Sequence, residues 1–158
     1  MAVQFSESTK QKFDALVTRY PQKKAALLPT LWLAQEEFGT LTPEVLTYVA
    51  SLLDLPPSKP YAVASFYTMY NLKPQGKYKI EVCRTLSCAM CGAYDILEHL
   101  EEKLGIHTGE TTPDGKYTLG TAECLGSCGT APMFQINGKQ YYENLTTAKV
   151  DEILAGLN

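Results

Sequence analysis

The chain of 158 residues is long enough for one or two small domains with buried cores. Its 45% hydrophobic and 20% charged residues exclude a disordered or collagen-like chain. The formal net charge of −3 argues against a protein that binds nucleic acid through clustered basic residues. The first 72 residues carry equal numbers of acidic and basic side chains, so the net negative charge belongs to residues 73–158.

The sequence contains neither a targeting pattern nor a membrane-spanning pattern. The apolar run Leu31–Ala34 is interrupted by Gln35-Glu36-Glu37, so it is too short to span a bilayer. The first residues lack the charged and apolar regions of a secretory signal and are not rich in arginine. We therefore expect a cytoplasmic protein that is not inserted in a membrane.

The first 70 residues predict helices. Ser8 and Gln11 have the spacing of a capping box, and the apolar residues that follow have helical periodicity. A second helix is predicted over 23–38, in which Pro29 either produces a kink or marks the true first turn. Thr42-Pro43-Glu44 is a strong start signal for a third helix.

The pattern changes at the turn Lys73-Pro74-Gln75-Gly76. We expect a domain boundary here, with a helical bundle over 1–72 and a second domain over 73–158. Alternating polar and apolar residues then predict a strand that ends at Cys83. A helix over 89–104 and a strand over 116–123 are expected to follow.

The end of the chain predicts a hairpin and a helix. Asn137-Gly138 suits a type I′ turn between two short strands, and Thr146 is placed to cap the last helix. The second domain thus has the order strand–helix–strand–hairpin–helix, and the whole chain is of the α+β or α/β class. A strand–helix–strand unit implies parallel neighbouring strands, so the loops after Cys83 and Cys124 should lie at the same edge of the sheet.

The five cysteines are the most informative feature of the sequence. None occurs in the first 82 residues, and the whole set is Cys83, Cys88, Cys91, Cys124 and Cys128. In a cytosolic protein we do not expect these residues to form a disulfide framework, because thiols are kept reduced there.

Spacing leaves three interpretations of the cysteines open. Four thiolates from two loops, Cys83 and Cys88 with Cys124 and Cys128, can hold a 2Fe–2S cluster. Cys88 and Cys91 form a C-x-x-C pattern, which is typical of a dithiol redox site at a helix start. A structural zinc site is the third interpretation, although the usual pair of C-x2-C knuckles is missing.

Several longer motifs resemble one known family. They are Ser65–Tyr70, Tyr78–Cys83, Gly109–Gly115, Glu123–Gly129, Ala131-Pro132-Met133 and Tyr141–Thr146, with Gln35–Gly39 in the helical half. On these motifs, nearly the whole chain resembles the E subunits of bacterial NADH:quinone oxidoreductase (respiratory complex I). These subunits have a thioredoxin-like 2Fe–2S ferredoxin domain after an N-terminal helical bundle.

The resemblance implies a function in electron transfer. The family's ligands fall on Cys83, Cys88, Cys124 and Cys128, which would bind one 2Fe–2S cluster. The cluster would exchange electrons with FMN on a flavin-bearing partner subunit, which also binds NADH. The chain would then belong to the peripheral arm, on the cytoplasmic side of the membrane, together with other subunits of that arm. No catalytic residue is expected on this chain, so the complete enzyme needs its partners.

The resemblance leaves two further possibilities open. Similar subunits occur in NAD-linked hydrogenases and formate dehydrogenases, and a stand-alone thiol–disulfide oxidoreductase using Cys88 and Cys91 is an alternative of a different class. Cys91 departs from the family pattern and is interpreted as a fifth, unligated thiol. A thioredoxin-like fold also predicts a cis peptide bond between Ala131 and Pro132.

Other candidate residues receive ordinary structural interpretations. His99 and His107 are far in sequence from the cysteine pairs, so we interpret them as surface or helix residues rather than ligands. The aromatic run Phe66–Tyr70 is interpreted as a core that joins the two halves, with a partner-binding surface as the alternative.

Overall fold

The computed structural model describes residues 3–157. The chain consists of two compact units, and the boundary between them follows Pro74. Within the described residues, no helix has both the length and the apolar character needed to cross a membrane.

Over residues 3–74, the first unit is built from four α-helices. They are α1 (Glu7–Val17), α2 (Leu27–Phe38), α3 (Pro43–Leu52) and α4 (Ser58–Phe66), with a 3-10 turn over Lys23–Ala26. Each helix contacts the next along the chain. Their apolar faces enclose one core, whose most deeply buried large members include Leu31, Leu41, Val49 and Leu53.

The helix starts in this unit follow local capping chemistry. The Thr42 side chain accepts a hydrogen bond from the backbone N–H of Val45, and Pro43 is the first residue of α3, as predicted. The predicted capping box at Ser8 is wrong: Ser6 caps α1 and accepts from the N–H of Thr9, so the helix begins earlier. Pro29 lies in the first turn of α2, where its missing N–H costs no helical hydrogen bond.

As far as residue 157, the second unit contains a four-stranded sheet and three α-helices. The strands are β1 (Tyr78–Cys83), β2 (Tyr117–Ala122), β3 (Phe134–Ile136) and β4 (Gln140–Tyr142), and the helices are α5 (Leu86–Met90), α6 (Ala93–Leu104) and α7 (Thr147–Gly156). The sheet order is β2-β1-β3-β4, with β1 parallel to β2 and the other pairs antiparallel. The predicted order strand–helix–strand–hairpin–helix is therefore confirmed.

The core of the second unit lies between the sheet and the helices. Helix α6 contacts β1, β2 and α7. The side chains of Ile80, Leu100, Leu119, Phe134 and Val150 are fully buried there. This packing fixes β1 beside β2 and so sets where each strand ends.

One predicted helix is divided in two. The sequence predicts a continuous helix over 89–104, but α5 ends before Cys91 and α6 starts after Gly92. Gly92 adopts a left-handed conformation with φ of 91°, which a helix cannot contain. The break separates the helix that carries Cys88 from the long amphipathic helix that covers the sheet.

The last elements agree with their sequence signals. Asn137 and Gly138 both have positive φ, as a type I′ turn requires. Thr146 accepts a hydrogen bond from the N–H of Lys149 and caps α7. The Ala131–Pro132 peptide bond is cis, as predicted.

Candidate metal centre

The parallel pairing of β1 and β2 defines one edge of the candidate site. Cys83 is the last residue of β1, and its register partner is Ala122, the last residue of β2. The Cys83 Sγ lies 3.8 Å from the carbonyl oxygen of Glu123, which directly precedes Cys124. The backbone N–H of Cys83 also donates to the carbonyl of Met133 at 3.1 Å. Cys83 is therefore held by contacts to two segments, one directly before Cys124 and the other directly before β3.

Helix α5 brings a second thiol to Cys83. Thr85 precedes α5, and Cys88 lies in the helix and is buried like Cys83. Both cysteines belong to the same buried cluster of the second unit. Two thiols buried in one cluster are a group that a metal can bind with release of their protons.

The two buried thiols differ in acidity. Burial alone would raise the pKa of Cys83, but hydrogen bonds from the backbone N–H groups of Thr85 and Leu125 and from Cys88 lower it below its usual value. Burial raises the pKa of Cys88 to about 11, and its neighbours Cys83 and Cys128 add to this effect. Cys83 is thus the thiol of the pair that is more readily ionised, and Cys88 holds its proton.

The loop after β2 contributes the remaining thiols. Cys124 and Cys128 are exposed, and Cys128 begins a 3-10 turn over Cys128–Thr130 that contacts α5. Gly126 has φ of 77°, which lets the loop reverse direction. A Cβ built at Gly126 or at Gly129 would meet nothing within 4 Å, so there is open space beside this loop.

The cysteines supply the soft sulfur donors that iron–sulfur clusters require. Over residues 3–157, no three histidine, cysteine or acidic side chains lie close enough together to hold one metal ion. A 2Fe–2S cluster takes two thiolates on each iron, so its four ligands surround two centres rather than one. Cys83 and Cys88 are buried in one cluster, and the glycine-containing loop presents Cys124 and Cys128 beside open space.

Cys91 occupies a different environment from the buried pair. It follows the last residue of α5, and its backbone N–H donates to the carbonyls of Ser87 and Cys88. It is exposed, whereas Cys88 is 2% exposed. The structure thus places one cysteine of the C-x-x-C pattern inside the protein and the other on its surface.

The structure shows two polar contacts beside the thiols that the sequence does not predict. Arg84 pairs with Glu123, which ties the residue after Cys83 to the residue before Cys124. Glu143 accepts hydrogen bonds from Ser127 and Thr130 on either side of Cys128. The one sequence signal for the first contact is that Arg84 and Glu123 are each adjacent to a cysteine. The second contact has no local signal, because Glu143 is far along the chain from Ser127 and Thr130.

The remaining candidates lie in other contacts. His99 Nε2 is 2.9 Å from Asp151 Oδ1 and links α6 to α7, and His107 pairs with Glu101. In the aromatic run, Tyr70 is buried in the core of the first unit and its hydroxyl donates to the carbonyl of Leu28. Phe66 is 76% exposed, and Tyr67 and Thr68 are exposed as well, so the interpretation of this run as core is wrong for these three residues.

Comparison with known proteins identifies related sequences over most of the chain. A family model described as thioredoxin-like [2Fe-2S] ferredoxin matches residues 13–158. Among the NADH-quinone oxidoreductase E subunits, the one numbered 2 in Rhizobium meliloti is 42% identical over 145 residues, which cover 92% of this chain and 86% of that protein. The one in Rickettsia conorii is 46% identical over 144 residues, with 89% and 86% covered. NADH-quinone oxidoreductase subunit 2 of Thermus thermophilus is 43% identical over 151 residues, with 94% and 83% covered.

A solved structure also resembles this chain. It is an NAD+-reducing [NiFe]-hydrogenase in the air-oxidized state, with a TM-score of 0.74 and 26% sequence identity. The similarity covers 84% of this chain but 22% of the hydrogenase chain, so the shared fold corresponds to about a fifth of that longer chain.

Proposed function

We infer the function of this chain from its family: it belongs to the thioredoxin-like [2Fe-2S] ferredoxins. Relatives that are 42–46% identical over most of their length are subunits of NADH-quinone oxidoreductase. We propose that this chain is the corresponding electron-transfer subunit. The observation that carries the proposal is the burial of Cys83 and Cys88 in one cluster at the carboxyl ends of β1 and β2, where the loop with Cys124 and Cys128 begins.

The proposed ligands of the 2Fe–2S cluster are Cys83, Cys88, Cys124 and Cys128. The cluster, when bound, supplies a centre that accepts and releases single electrons. The chain holds the first two thiols away from water, and the backbone N–H groups of Leu125 and Met133 donate towards Cys83 and Cys88, respectively. Hydrogen bonds to the sulfur atoms stabilise negative charge on them, and in this way the protein adjusts the reduction potential.

A flavin-bearing partner completes the proposed enzyme. This chain is proposed to exchange electrons with FMN on that partner, where NADH also binds, within the peripheral arm on the cytoplasmic side of the membrane. Residues 1–72 are proposed to dock the flavin-bearing partner, because α4 and the residue after it expose Tyr61, Phe66 and Tyr67. Co-purification of this partner with the full chain and with a chain that lacks residues 1–72 tests the docking role. Equal retention of the partner by both chains would show that the helices do not dock it.

A second host complex is favoured by one observation. The fold similarity to an NAD+-reducing [NiFe]-hydrogenase fits an equivalent position in an NAD-linked hydrogenase, and a formate dehydrogenase is a related alternative. The purified native complex separates these hosts. Reduction of quinone by NADH supports the oxidoreductase, whereas reduction of NAD+ by hydrogen or by formate supports one of the alternatives.

Single Cys→Ser variants of the full chain test the ligand set. Iron content and visible absorption are measured after anaerobic reconstitution. We expect Cys83→Ser, Cys88→Ser, Cys124→Ser and Cys128→Ser to hold less iron or a spectrally altered cluster. Cys91→Ser is the matched control, because it removes a thiol next to the site and should leave the spectrum unchanged.

The same variants distinguish a cluster-binding protein from the dithiol alternative. A thiol–disulfide oxidoreductase that uses Cys88 and Cys91 would be colourless and would need both thiols. A Cys91→Ser chain that loses its cluster while Cys83→Ser retains it would contradict the proposed ligands. A wild-type chain that takes up no iron but reduces disulfides would contradict the proposed function itself.

A further inference from the structure

A carboxylate binds both ends of the turn that carries Cys128. The Glu143 Oε1 accepts hydrogen bonds from the hydroxyls of Ser127 and Thr130, the latter at 2.6 Å. The two hydroxyl oxygens are themselves 2.7 Å apart. Because Ser127 directly precedes Cys128 and Thr130 ends the turn, the carboxylate spans the segment in which the cysteine lies.

The backbone around Glu143 is also held in place. The Nζ of Lys149 in α7 donates to the carbonyl of Glu143 at 2.6 Å. The N–H of Asn144 donates to the carbonyl of Thr130 at 2.7 Å. The acceptor is therefore tied to the start of α7 and to the turn itself.

Cys128 has weaker backbone support than Cys83. Cys83 lies in the central strand and bonds to the residue before β3, whereas Cys128 lies in a 3-10 turn of three residues and is exposed. Within that turn the N–H of Thr130 donates to the carbonyl of Ser127 at 3.1 Å. Hydrogen bonds to an ionised acceptor are stronger than this neutral bond, so the Glu143 network contributes much of the order of the turn.

We propose that Glu143 is a positioning residue for the cluster: it holds Cys128 in place for ligation, and its negative charge lowers the reduction potential. The inference rests on the proposed function. Reduction adds an electron to a centre that already carries thiolates, and a carboxylate held nearby opposes that added charge. The two effects are separable because glutamine retains an acceptor oxygen without the charge.

The experiment compares variants of the full chain after cluster reconstitution. We expect Glu143→Ala to release iron to a chelator about tenfold faster than wild type, since it loses two charge-assisted hydrogen bonds. Glu143→Gln should release iron at a rate between those of wild type and Glu143→Ala, because the amide oxygen can accept from the same hydroxyls but without the charge. Its reduction potential, followed by EPR during a redox titration, should be more positive than that of wild type.

Glu102→Gln provides the matched control. Glu102 is exposed near the end of α6, which runs back from the ligand edge of the sheet towards the start of β2. The substitution removes the same charge far from the turn. We expect the iron-release rate and the potential of this variant to equal those of wild type.

Each outcome supports or overturns a stated part of the inference. If Glu143→Ala releases iron at the wild-type rate, the positioning role is overturned. If Glu143→Gln and Glu102→Gln have equal reduction potentials, the charge effect is overturned. If circular dichroism shows that Glu143→Ala is unfolded, Thr130→Val replaces it: iron release several-fold faster than wild type supports the role, and an unchanged rate overturns it. A wild-type chain that binds no cluster would instead reject the proposed function.

Discussion

The connection before β1 passes so close to β2 that it leaves no room for a side chain at Gly76. A Cβ built at this position would lie 2.7 Å from the carbonyl carbon of Tyr117 and 3.0 Å from that of Lys116. Real Cβ atoms do not approach backbone atoms this closely, and backbone cannot rotate away as a flexible side chain can. We therefore predict that Gly76→Ala pushes the start of β2 away from β1.

The expected cost follows from the contacts that would move. The N–H of Gly76 donates to the Thr118 hydroxyl at 2.6 Å, and the N–H of Lys77 donates to the carbonyl of Gly115 at 3.0 Å. Overpacking a well-packed site costs about 1–3 kcal/mol. For a unit of this size, a loss of about 2 kcal/mol in the free energy of unfolding corresponds to a decrease of about 8–16 °C in the unfolding temperature.

Thermal unfolding of the full chain, measured by calorimetry, provides the test. Gly120→Ala is the matched control in β2, because its Cβ would lie 3.6 Å from the Cγ of Glu81, an ordinary contact distance. We expect this control to unfold at or slightly above the wild-type temperature, since alanine restricts the unfolded chain more than glycine does. Amide hydrogen exchange should be faster in β2 of Gly76→Ala. Equal unfolding temperatures for the two variants would refute the steric argument.

Two further predictions concern stability. Burial and the neighbouring Tyr67 raise the pKa of Tyr70 to about 12, so its contribution is complete below pH 10 and is lost as the pH rises towards 12. Denaturant titrations should show that wild type loses up to about 2.7 kcal/mol relative to Tyr70→Phe over this range, and parallel pH profiles would contradict this. Asn137→Ala should cost about 2 kcal/mol in the free energy of unfolding, because the Asn137 side chain bonds to the backbone of Lys79 and Lys77 and its φ is 56°. Asn137→Gly, which relieves only the φ strain, should recover part of that loss.

Local signals predicted the elements whose causes are local. Thr42 and Thr146 cap helices because a hydroxyl three residues before a backbone N–H can accept from it, and this depends on sequence alone. The parallel pairing of β1 with β2 was predictable, because two strands joined by a helical crossover usually lie parallel and adjacent in one sheet. The position of Cys83 at the edge of the sheet follows from that topology.

Features that depend on packing were not predicted. The apolar spacing of residues 89–104 continues through Cys91 and Gly92, so periodicity indicates one helix. The structure divides it because Cys88 is buried against Cys83 while α6 packs along the sheet, and Gly92 makes the change of direction between them possible. Similarly, Glu143 reaches Ser127 only because the hairpin returns the chain to the turn.

The register of β1 against β2 also determines when iron can be bound. Cys83 and Glu123 meet although 40 positions separate them, so the proposed ligands are gathered only after the sheet has formed. An unfolded or partly synthesised chain offers two distant thiol pairs, and we expect iron loading to follow folding. Once loaded, the cluster would act as a covalent cross-link between the two segments. By analogy with a disulfide, closing a loop of about 40 residues lowers the entropy of the unfolded chain. This stabilises the folded state by about 4 kcal/mol. Chelation of the iron should therefore lower the unfolding temperature of the loaded chain.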